Sequence, residues 1–409
     1  MDPIELREYA DWAGDLAEED AAFIDSELPR KISIWREPLE ERYRINPNQY
    51  VGVVTLPSGR RLESYPKVPV RNLFFMLAVA FDFPSPFREQ VTRFDRLDQI
   101  LEFVASYFAD LVDERIDHGL YRSYEETDEN LSAVRGRINF MEDVRHNYVL
   151  RHRTFCRFAE FTWDIPENQI IRQVAHMLTG WSFRREVQNR LGRIDAALAD
   201  VTATLLPASA MDRFRYHRLN DDYRQLHQLC RLFLEGASVS EDFGAFNYRT
   251  FLLDMNRLFE TFVTQVLRDR ARSGVSVRAQ MPTHLGQDKK VSMRPDITLW
   301  RAGSVALVAD CKYKRIESEE YKNHDMYQLL AYCTAAEVAR GLLIYPRHVS
   351  DVSDEVRVRN SDIVIRQSTI DLGKADRELV SECDRFANDV FAWATASSRT
   401  PAAPVGLGR

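Results

Sequence analysis

Several features that define common protein classes are missing from this 409-residue sequence. No apolar run approaches the roughly 20 residues that a membrane-spanning helix needs. The first residues, MDPIELREYADW, lack the basic and apolar regions of a signal peptide. The five cysteines form no CxxC pair, which argues against a structural zinc site or a disulfide framework. No GxxxxGKS or GxxxxGKT motif occurs. We therefore expect a cytoplasmic protein without a membrane segment that is not itself a P-loop motor.

The net charge of −7 is distributed unevenly along the chain. Residues 1–30 hold ten acidic and two basic residues, whereas residues 275–350 hold eleven basic and eight acidic residues. A globally acidic protein is a poor non-specific binder of DNA, but a locally basic region can still hold phosphates. The alternative, in which these charges only solvate the surface, has equal weight at this point.

Periodicity and composition divide the chain into four regions. Residues 1–70 contain strand-like pieces and a hairpin-like stretch at 56–66, LPSGRRLESYP, so we expect a β-rich N-terminal domain. Residues 71–245 carry apolar residues every three or four positions, which predicts a mainly helical region. The expected helices of this region cover residues 94–117, 168–205 and 219–235. Residues 246–396 form a third region, and the small, Pro- and Gly-containing residues 397–409 predict a disordered tail.

The third region shows a different order of elements. A helix is expected first, followed by three strands, a second helix and a fourth strand. The predicted boundaries are 250–272 for the first helix, 275–280, 293–300 and 305–313 for the strands, 319–339 for the second helix and 341–346 for the last strand. This order predicts a mixed α/β core and excludes a doubly wound nucleotide-binding sheet.

Two acids and a lysine stand at the edges of the second and third of these strands. Asp310 and Lys312 are two residues apart on one strand, so both side chains project from the same face. Cys311, between them, points to the other face. A hairpin partner strand would bring Asp296 next to the pair. The sequence therefore predicts two carboxylates that converge beside one ammonium group.

Such a group of side chains suits a particular chemistry. Two buried carboxylates repel each other unless a positive charge lies between them, and oxygen-only ligands favour Mg²⁺ or Mn²⁺. The backbone carbonyl of Cys311 would add a further oxygen ligand. A divalent ion here would support phosphodiester hydrolysis, with Lys312 orienting water or offsetting charge. The alternative without a catalytic role is an ordinary ion pair between Asp310 and Lys312 beside an aspartate in a turn.

Pro295-Asp296 followed by Asp310-Cys311-Lys312 resembles the signature of the PD-(D/E)xK nuclease superfamily. The resemblance implies the restriction-endonuclease-like core whose element order is given above. It also implies an acid on the first helix, for which Glu260 in NRLFETFV is the candidate. The RecB-like branch carries QxxxY on the second helix, which Gln328 and Tyr332 match. These residues become candidate catalytic residues, and Glu260 also a candidate metal ligand.

Upstream stretches resemble the McrC family, the nuclease subunit of the modification-dependent McrBC restriction systems, which act on 5-methylcytosine DNA. The resemblance covers most of residues 1–345, including a recurrent Asn at Asn168. The matching stretches are IELREY, VGVVTLPSGRRLESYPKV, RNLFFMLAVAFD, LSAVRGRINF, FCRFAEFTWDIPENQIIRQ, MNRLFETFV, RPDITL, ADCKYK and MYQLLAY. The resemblance implies a phage-defence endonuclease that cuts double-stranded DNA and works with a McrB-like AAA+ GTPase ring, whose hydrolysis it stimulates.

Two sets of basic residues are candidates for these contacts. Arg60 and Arg61, in the hairpin-like stretch, are the candidates for contact with the ring, against the alternative of a solvated turn. The candidates for contact with DNA phosphates are the basic residues nearest the acids in sequence, Lys289, Lys290, Arg294, Lys314, Arg315 and Lys322. Two other functions stay open: a standalone RecB-like nuclease, and a non-cutting adaptor of the ring.

Overall fold

The computed structural model describes residues 2–37, 42–83, 96–149, 152–237, 250–313, 319–347 and 354–395. Its helices are α1 Glu18–Glu27, α2 Val70–Ala80, α3 Leu97–His118, α4 Phe140–Asn147, α5 Pro166–Thr179, α6 Arg185–Ala197, α7 Tyr223–Gly236, α8 Met255–Asp269, α9 Glu319–Ala335 and α10 Asp376–Thr395. A 3₁₀ helix covers Ala208–Arg213. Among the described residues, no helix combines the length and the apolar composition needed to cross a membrane.

The strands lie between these helices, singly or in runs. They are β1 Ile4–Arg7, β2 Trp12–Gly14, β3 Ser33–Arg36, β4 Tyr43–Asn46, β5 Tyr50–Thr55, β6 Arg61–Tyr65, β7 Ser123–Leu131, β8 Arg137–Ile138, β9 Thr154–Thr162, β10 Thr250–Asp254, β11 Val275–Ala279, β12 Thr283–His284, β13 Ser292–Met293, β14 Ile297–Arg301, β15 Ser304–Cys311, β16 Arg340–Pro346, β17 Glu355–Arg357 and β18 Val364–Ile370. The result is a mixed α/β protein with several separate sheets.

Two compact units account for the chain. The first comprises Met1–Gly52, Leu56–Leu97 and Leu253–Arg409, and the second comprises Val53–Thr55 and Asp98–Leu252. The first unit is therefore discontinuous in sequence. Its N-terminal part packs directly on its C-terminal part, because α2 contacts α8 through an edge-to-face pair between Phe75 and Phe262.

The largest sheet of the first unit has six strands in the order β11-β14-β15-β16-β18-β17. β11, β14 and β15 are antiparallel neighbours, whereas β15, β16 and β18 run parallel. A parallel neighbour needs a crossover connection, and α9 supplies it between β15 and β16. The helix covers the sheet through a buried apolar cluster that includes Val308, Leu329 and Leu343. This arrangement fixes the end of β15, where the predicted acids lie.

The predicted helix at 250–272 is wrong at its start. Residues Thr250–Asp254 form strand β10, and α8 begins only at Met255. The reason is local, because the Asp254 side chain caps the helix by accepting from the backbone N–H groups of Asn256 and Arg257.

The second unit contains α3, α5, α6 and α7, together with a three-stranded sheet in the order β7-β9-β8. The sequence predicted one helix over 168–205, but two helices form, separated at residues 180–184. Long antiparallel pairing of β7 with β9 adds sheet structure to a region expected to be mainly helical. Asn168 is fully buried, donates to the Tyr121 and Trp163 carbonyls and accepts from the Tyr223 hydroxyl. Asn168 therefore has a structural role, because its hydrogen bonds connect separate elements of this unit.

Candidate active site at the end of the central hairpin

Asp296 and Asp310 face each other across two neighbouring strands. The antiparallel register pairs Ile297 with Ala309, so Asp296, immediately before β14, stands opposite Asp310 near the end of β15. Side chains at directly opposed positions share one face of the sheet. Asp310 is 1% exposed and Asp296 is half-buried. The hairpin thus places the two carboxyl groups at neighbouring positions on one face of the sheet.

Lys312 completes this group and connects it to α9. Its Nζ lies 2.6 Å from Asp310 Oδ2 and donates to Gln328 Oε1 at 3.0 Å. Gln328 Nε2 in turn donates to the Tyr332 hydroxyl at 2.8 Å, one helical turn further along. The backbone N–H of Lys312 donates to the Ile344 carbonyl, which continues the ladder between β15 and β16. The predicted lysine, glutamine and tyrosine therefore form one continuous chain of contacts.

Glu260 reaches the site from α8 through a residue that sequence reasoning missed. Gln280 donates from Nε2 to Glu260 Oε1 at 2.5 Å and to Asp296 Oδ1 at 3.2 Å. The second oxygen of Asp296, Oδ2, accepts from the backbone N–H of Cys311 at 2.8 Å. Gln280 directly follows β11, and its place at the end of a predicted strand beside the acids was the available signal.

Two acids of the site hold their protons more tightly than free carboxyl groups do. Burial, together with the charges of Asp310 and Glu260, raises the pKa of Asp296 to about 8. Burial also raises the pKa of Glu260, in opposition to its hydrogen bond from Gln280. Burial alone would lower the pKa of Lys312, but the charge and hydrogen bond of Asp310 raise it above its ordinary value. Lys312 is therefore charged, and further positive charge would stabilise the ionised acids.

The donor chemistry fits a hard divalent cation. The buried Oδ2 of Asp310 lies 2.6 Å from Lys312 Nζ and has no other partner among the described residues. Carboxylate oxygens in such surroundings are the ligands that Mg²⁺ and Mn²⁺ prefer. Within the described part of the chain, no three acidic, histidine or cysteine side chains already surround a common point. Lys312 contacts one of the carboxyl groups, and the Gln280 amide bridges the other two.

Three of the six residues predicted to contact DNA are described by the structure. Lys289 and Lys290 are exposed in the connection between β12 and β13, and exposed Arg294 directly follows β13. Lys314 and Arg315 lie outside the described residues, as does the side chain of Lys322 in α9.

The hairpin predicted at 56–66 is confirmed, with β5 and β6 joined by a turn in which Leu56 N–H donates to the Arg60 carbonyl. The guanidinium of Arg60 donates to the carbonyls of Asp2 and Asp15. Arg61 forms an ion pair with Glu63 at 3.2 Å. Both arginines thus have partners within the first unit.

An exposed apolar surface on the second unit was not predicted from sequence. It comprises α4 and the residues that follow it, and several of its large side chains are more than two-thirds exposed. The members are Phe140 (73%), Met141 (84%), Val144 (67%), Tyr148 (81%) and Val149 (84%). We call this set the α4 apolar surface. Large exposed apolar side chains that lie close together in the chain, here five within residues 140–149, are typical of surfaces that bind another molecule.

The fold and the site define a class before any comparison: a multi-domain α/β protein with a buried group of acids and a lysine at the end of a mixed sheet. The chain matches the model of the McrBC 5-methylcytosine restriction system component over residues 45–346. Because this match spans most of its length, the chain belongs to the McrBC family.

Two relatives agree with this assignment. The type IV methyl-directed restriction enzyme EcoKMcrBC of Escherichia coli (strain K12) is 20% identical over 330 residues, which cover 76% of this chain and 94% of that protein. The structure is also similar to a chain in the assembly of Thermococcus gammatolerans McrB AAA+ hexamers with bound McrC. That match has a TM-score of 0.50 and 18% identity, and it covers 95% of this chain and 100% of the other. At this identity the structural likeness concerns the fold alone.

Proposed function

We propose that this chain is the DNA-cutting subunit of a McrBC-like restriction system, a Mg²⁺-dependent endonuclease with a PD-(D/E)xK core. The observation that carries the proposal is the placement of Asp296 directly opposite Asp310, with Lys312 Nζ 2.6 Å from Asp310. The helix, three strands, helix and strand of the core, α8, β11, β14, β15, α9 and β16, follow in the order that this superfamily requires. The McrBC family assignment supports the same function from an independent direction.

In this proposal, the residues of the site have separate roles in phosphodiester hydrolysis. Asp310 and Asp296 would hold the metal ion, together with the Cys311 carbonyl and with Glu260 from α8. The ion, when bound, would lower the pKa of a water molecule and stabilise negative charge on a phosphoryl oxygen. Lys312 keeps its proton beside Asp310, so its ammonium group is available to stabilise charge that develops in the transition state. Gln328 and Tyr332 hold that ammonium group in place.

Double-stranded DNA would lie over this end of the hairpin. Exposed Lys289, Lys290 and Arg294 belong to the segment between β11 and β14, which ends at Asp296. Basic side chains at such positions contact phosphates and read no sequence. Lys314, Arg315 and Lys322, which follow Lys312 in the chain, are proposed for the same role.

The proposed partner is a McrB-like AAA+ GTPase ring. The related assembly contains McrB AAA+ hexamers with bound McrC, and an exposed apolar surface is what such a complex would cover. The α4 apolar surface is therefore our principal candidate for the ring contact. Arg60 and Arg61 remain a second candidate, although hydrogen bonds and an ion pair within the first unit already hold them.

A pair of variants tests the two halves of this proposal in one reconstituted system. Asp310→Asn removes a metal-binding charge, so we expect at least a hundredfold loss of cleavage of methylated plasmid DNA with unchanged stimulation of GTP hydrolysis. Val144→Asp places a charge in the apolar surface, and we expect loss of both stimulation and cleavage because the ring no longer binds. Gel-based cleavage, phosphate release and co-sedimentation with the ring measure the three quantities.

Leu219→Asp is the matched control, because Leu219 is 69% exposed elsewhere on the second unit. It should leave ring binding and cleavage unchanged. Normal cleavage by Asp310→Asn would contradict the proposed location of the active site. Cleavage by the wild-type chain with metal alone, without ring or GTP, would instead indicate a standalone RecB-like nuclease. Stimulation of the ring without any cleavage under any condition would indicate a non-cutting adaptor.

A further inference from the structure

Gln280 contacts the site from a backbone conformation that residues with a side chain rarely adopt. It is half-buried, directly follows β11, and is a non-glycine residue in the left-handed region, with φ of 51°. This conformation costs roughly 1 kcal/mol or more for a residue with a side chain. Glycine would adopt this conformation without that cost, so we expect the glutamine side chain to make contacts that compensate for it.

Its hydrogen bonds provide these contacts. The two hydrogens of one amide nitrogen satisfy two carboxyl groups from different elements, Glu260 on α8 and Asp296 before β14. The backbone N–H of Gln280 also donates to the Asp296 carbonyl at 2.9 Å. The left-handed residue is thus held at its backbone by the same aspartate that its side chain contacts.

We propose that Gln280 is a positioning residue that holds the Glu260 and Asp296 carboxylates at the separation at which they bind one divalent ion. This inference rests on the proposed metal-dependent function of the same site. The amide takes one oxygen of each acid and leaves the second Glu260 oxygen free of any hydrogen bond to a described residue. Ligating carboxylates that are themselves hydrogen-bonded lose less freedom when the ion binds.

Metal affinity of the full-length protein measures this role without reference to cleavage. We expect Gln280→Leu to weaken Mn²⁺ binding by roughly tenfold to a hundredfold in calorimetric titration, the range found when groups that orient metal ligands are removed. Gln280→Gly removes the same amide and relieves the left-handed backbone, so it should fold readily and show the same loss. A purely structural role would lower the melting temperature in EDTA and leave the Mn²⁺ dissociation constant of the folded protein unchanged.

Gln265→Leu is the matched control, because Gln265 on α8 donates to Asp269 at 2.7 Å and lies outside the site. It should bind Mn²⁺ as the wild type does. Asp310→Asn separates the two proposals. If the wild type binds Mn²⁺ and Asp310→Asn does not, equal or tighter binding by both Gln280 variants overturns the positioning role alone. If the wild type shows no binding that depends on Asp310, the metal-dependent function fails and this inference fails with it.

Discussion

Glu8 is a buried carboxyl group that contacts the residue immediately after the candidate catalytic lysine. It continues the buried face of β1, after Ile4 and Leu6, and is 0% exposed. Its Oε2 accepts from the Tyr313 hydroxyl at 3.2 Å and from the Lys67 N–H at 2.8 Å, whereas Oε1 lacks a partner among the described residues. Burial raises the pKa of Glu8 to about 7. A single titrating group therefore connects the N-terminal strand to the end of β15.

This group predicts a dependence of stability on pH. The folded state binds the proton more tightly than the unfolded state, whose pKa is near 4.5. The contribution is complete below that value and is lost as the pH rises through about 7, amounting to at most roughly 3 kcal/mol. Glu8→Gln mimics the protonated form, so its urea-unfolding free energy should fall less than that of the wild type between pH 5 and pH 8.

Glu5→Gln is the control for this measurement, because Glu5 is exposed on the same strand. It should retain the wild-type pH dependence. A Glu8→Gln protein whose stability follows the wild-type pH curve would show that Glu8 is ionised throughout this range.

At the scale of elements, the packing of α9 on the sheet determines where Gln328 and Tyr332 lie. The helix and β16 approach closely at Gly341, where an added Cβ would lie 2.7 Å from Cys333 Sγ and 3.0 Å from Leu329. Both of those side chains are fully buried in the cluster beneath the helix. Because residue 341 has no side chain, α9 can pack closely enough on the sheet for Gln328, with Tyr332 beside it, to contact Lys312.

Gly341→Ala tests this packing. The extra methyl group must displace the helix or the strand, and overpacking of this kind costs about 1–3 kcal/mol. We expect a lower unfolding free energy in urea and reduced cleavage in the reconstituted system, because the hydrogen bond from Lys312 to Gln328 is disturbed. Gly192→Ala is the control, since no atom lies within 4 Å of an added Cβ in that exposed helical position. It should stabilise the protein by about 1 kcal/mol, and an unaffected Gly341→Ala protein would contradict the packing argument.

At the scale of the whole molecule, the first compact unit joins two distant parts of the sequence. The Asn72 side chain of α2 donates to the carbonyls of Leu372 and Lys374, some 300 residues away. Phe75 packs on Phe262, and the Tyr9 hydroxyl donates to the Tyr313 carbonyl. The sequence predicted residues 1–70 and 246–396 as separate domains, whereas the compact unit contains most of both, together with α2.

A fragment experiment measures this dependence. Residues 246–409 expressed alone would expose Phe262, Tyr313 and other side chains that the N-terminal part covers. We therefore expect no cooperative thermal transition by circular dichroism, or one far below that of the intact protein. Residues 98–237, which contain helices α3 to α7 of the second unit, serve as the comparison and should melt cooperatively. A fragment 246–409 that melts like the whole chain would establish it as an independent domain.

The sequence by itself determined the local chemistry of this protein. Alternation along β15 placed Asp310 and Lys312 on one face, helical spacing placed Gln328 with Tyr332, and the order of elements in the third region was largely correct. These features depend on neighbours within a few residues, which the backbone geometry fixes. Only the tertiary structure decided which residues from separate elements contact each other. The bridge from Gln280 to Glu260 and Asp296, the contact of Glu8 with Tyr313, and the exposure of the α4 apolar surface depend on how separate elements pack. No short stretch of sequence encodes that packing, because it is set by side chains on separate elements, from 16 residues apart for Gln280 and Asp296 to 305 residues apart for Glu8 and Tyr313.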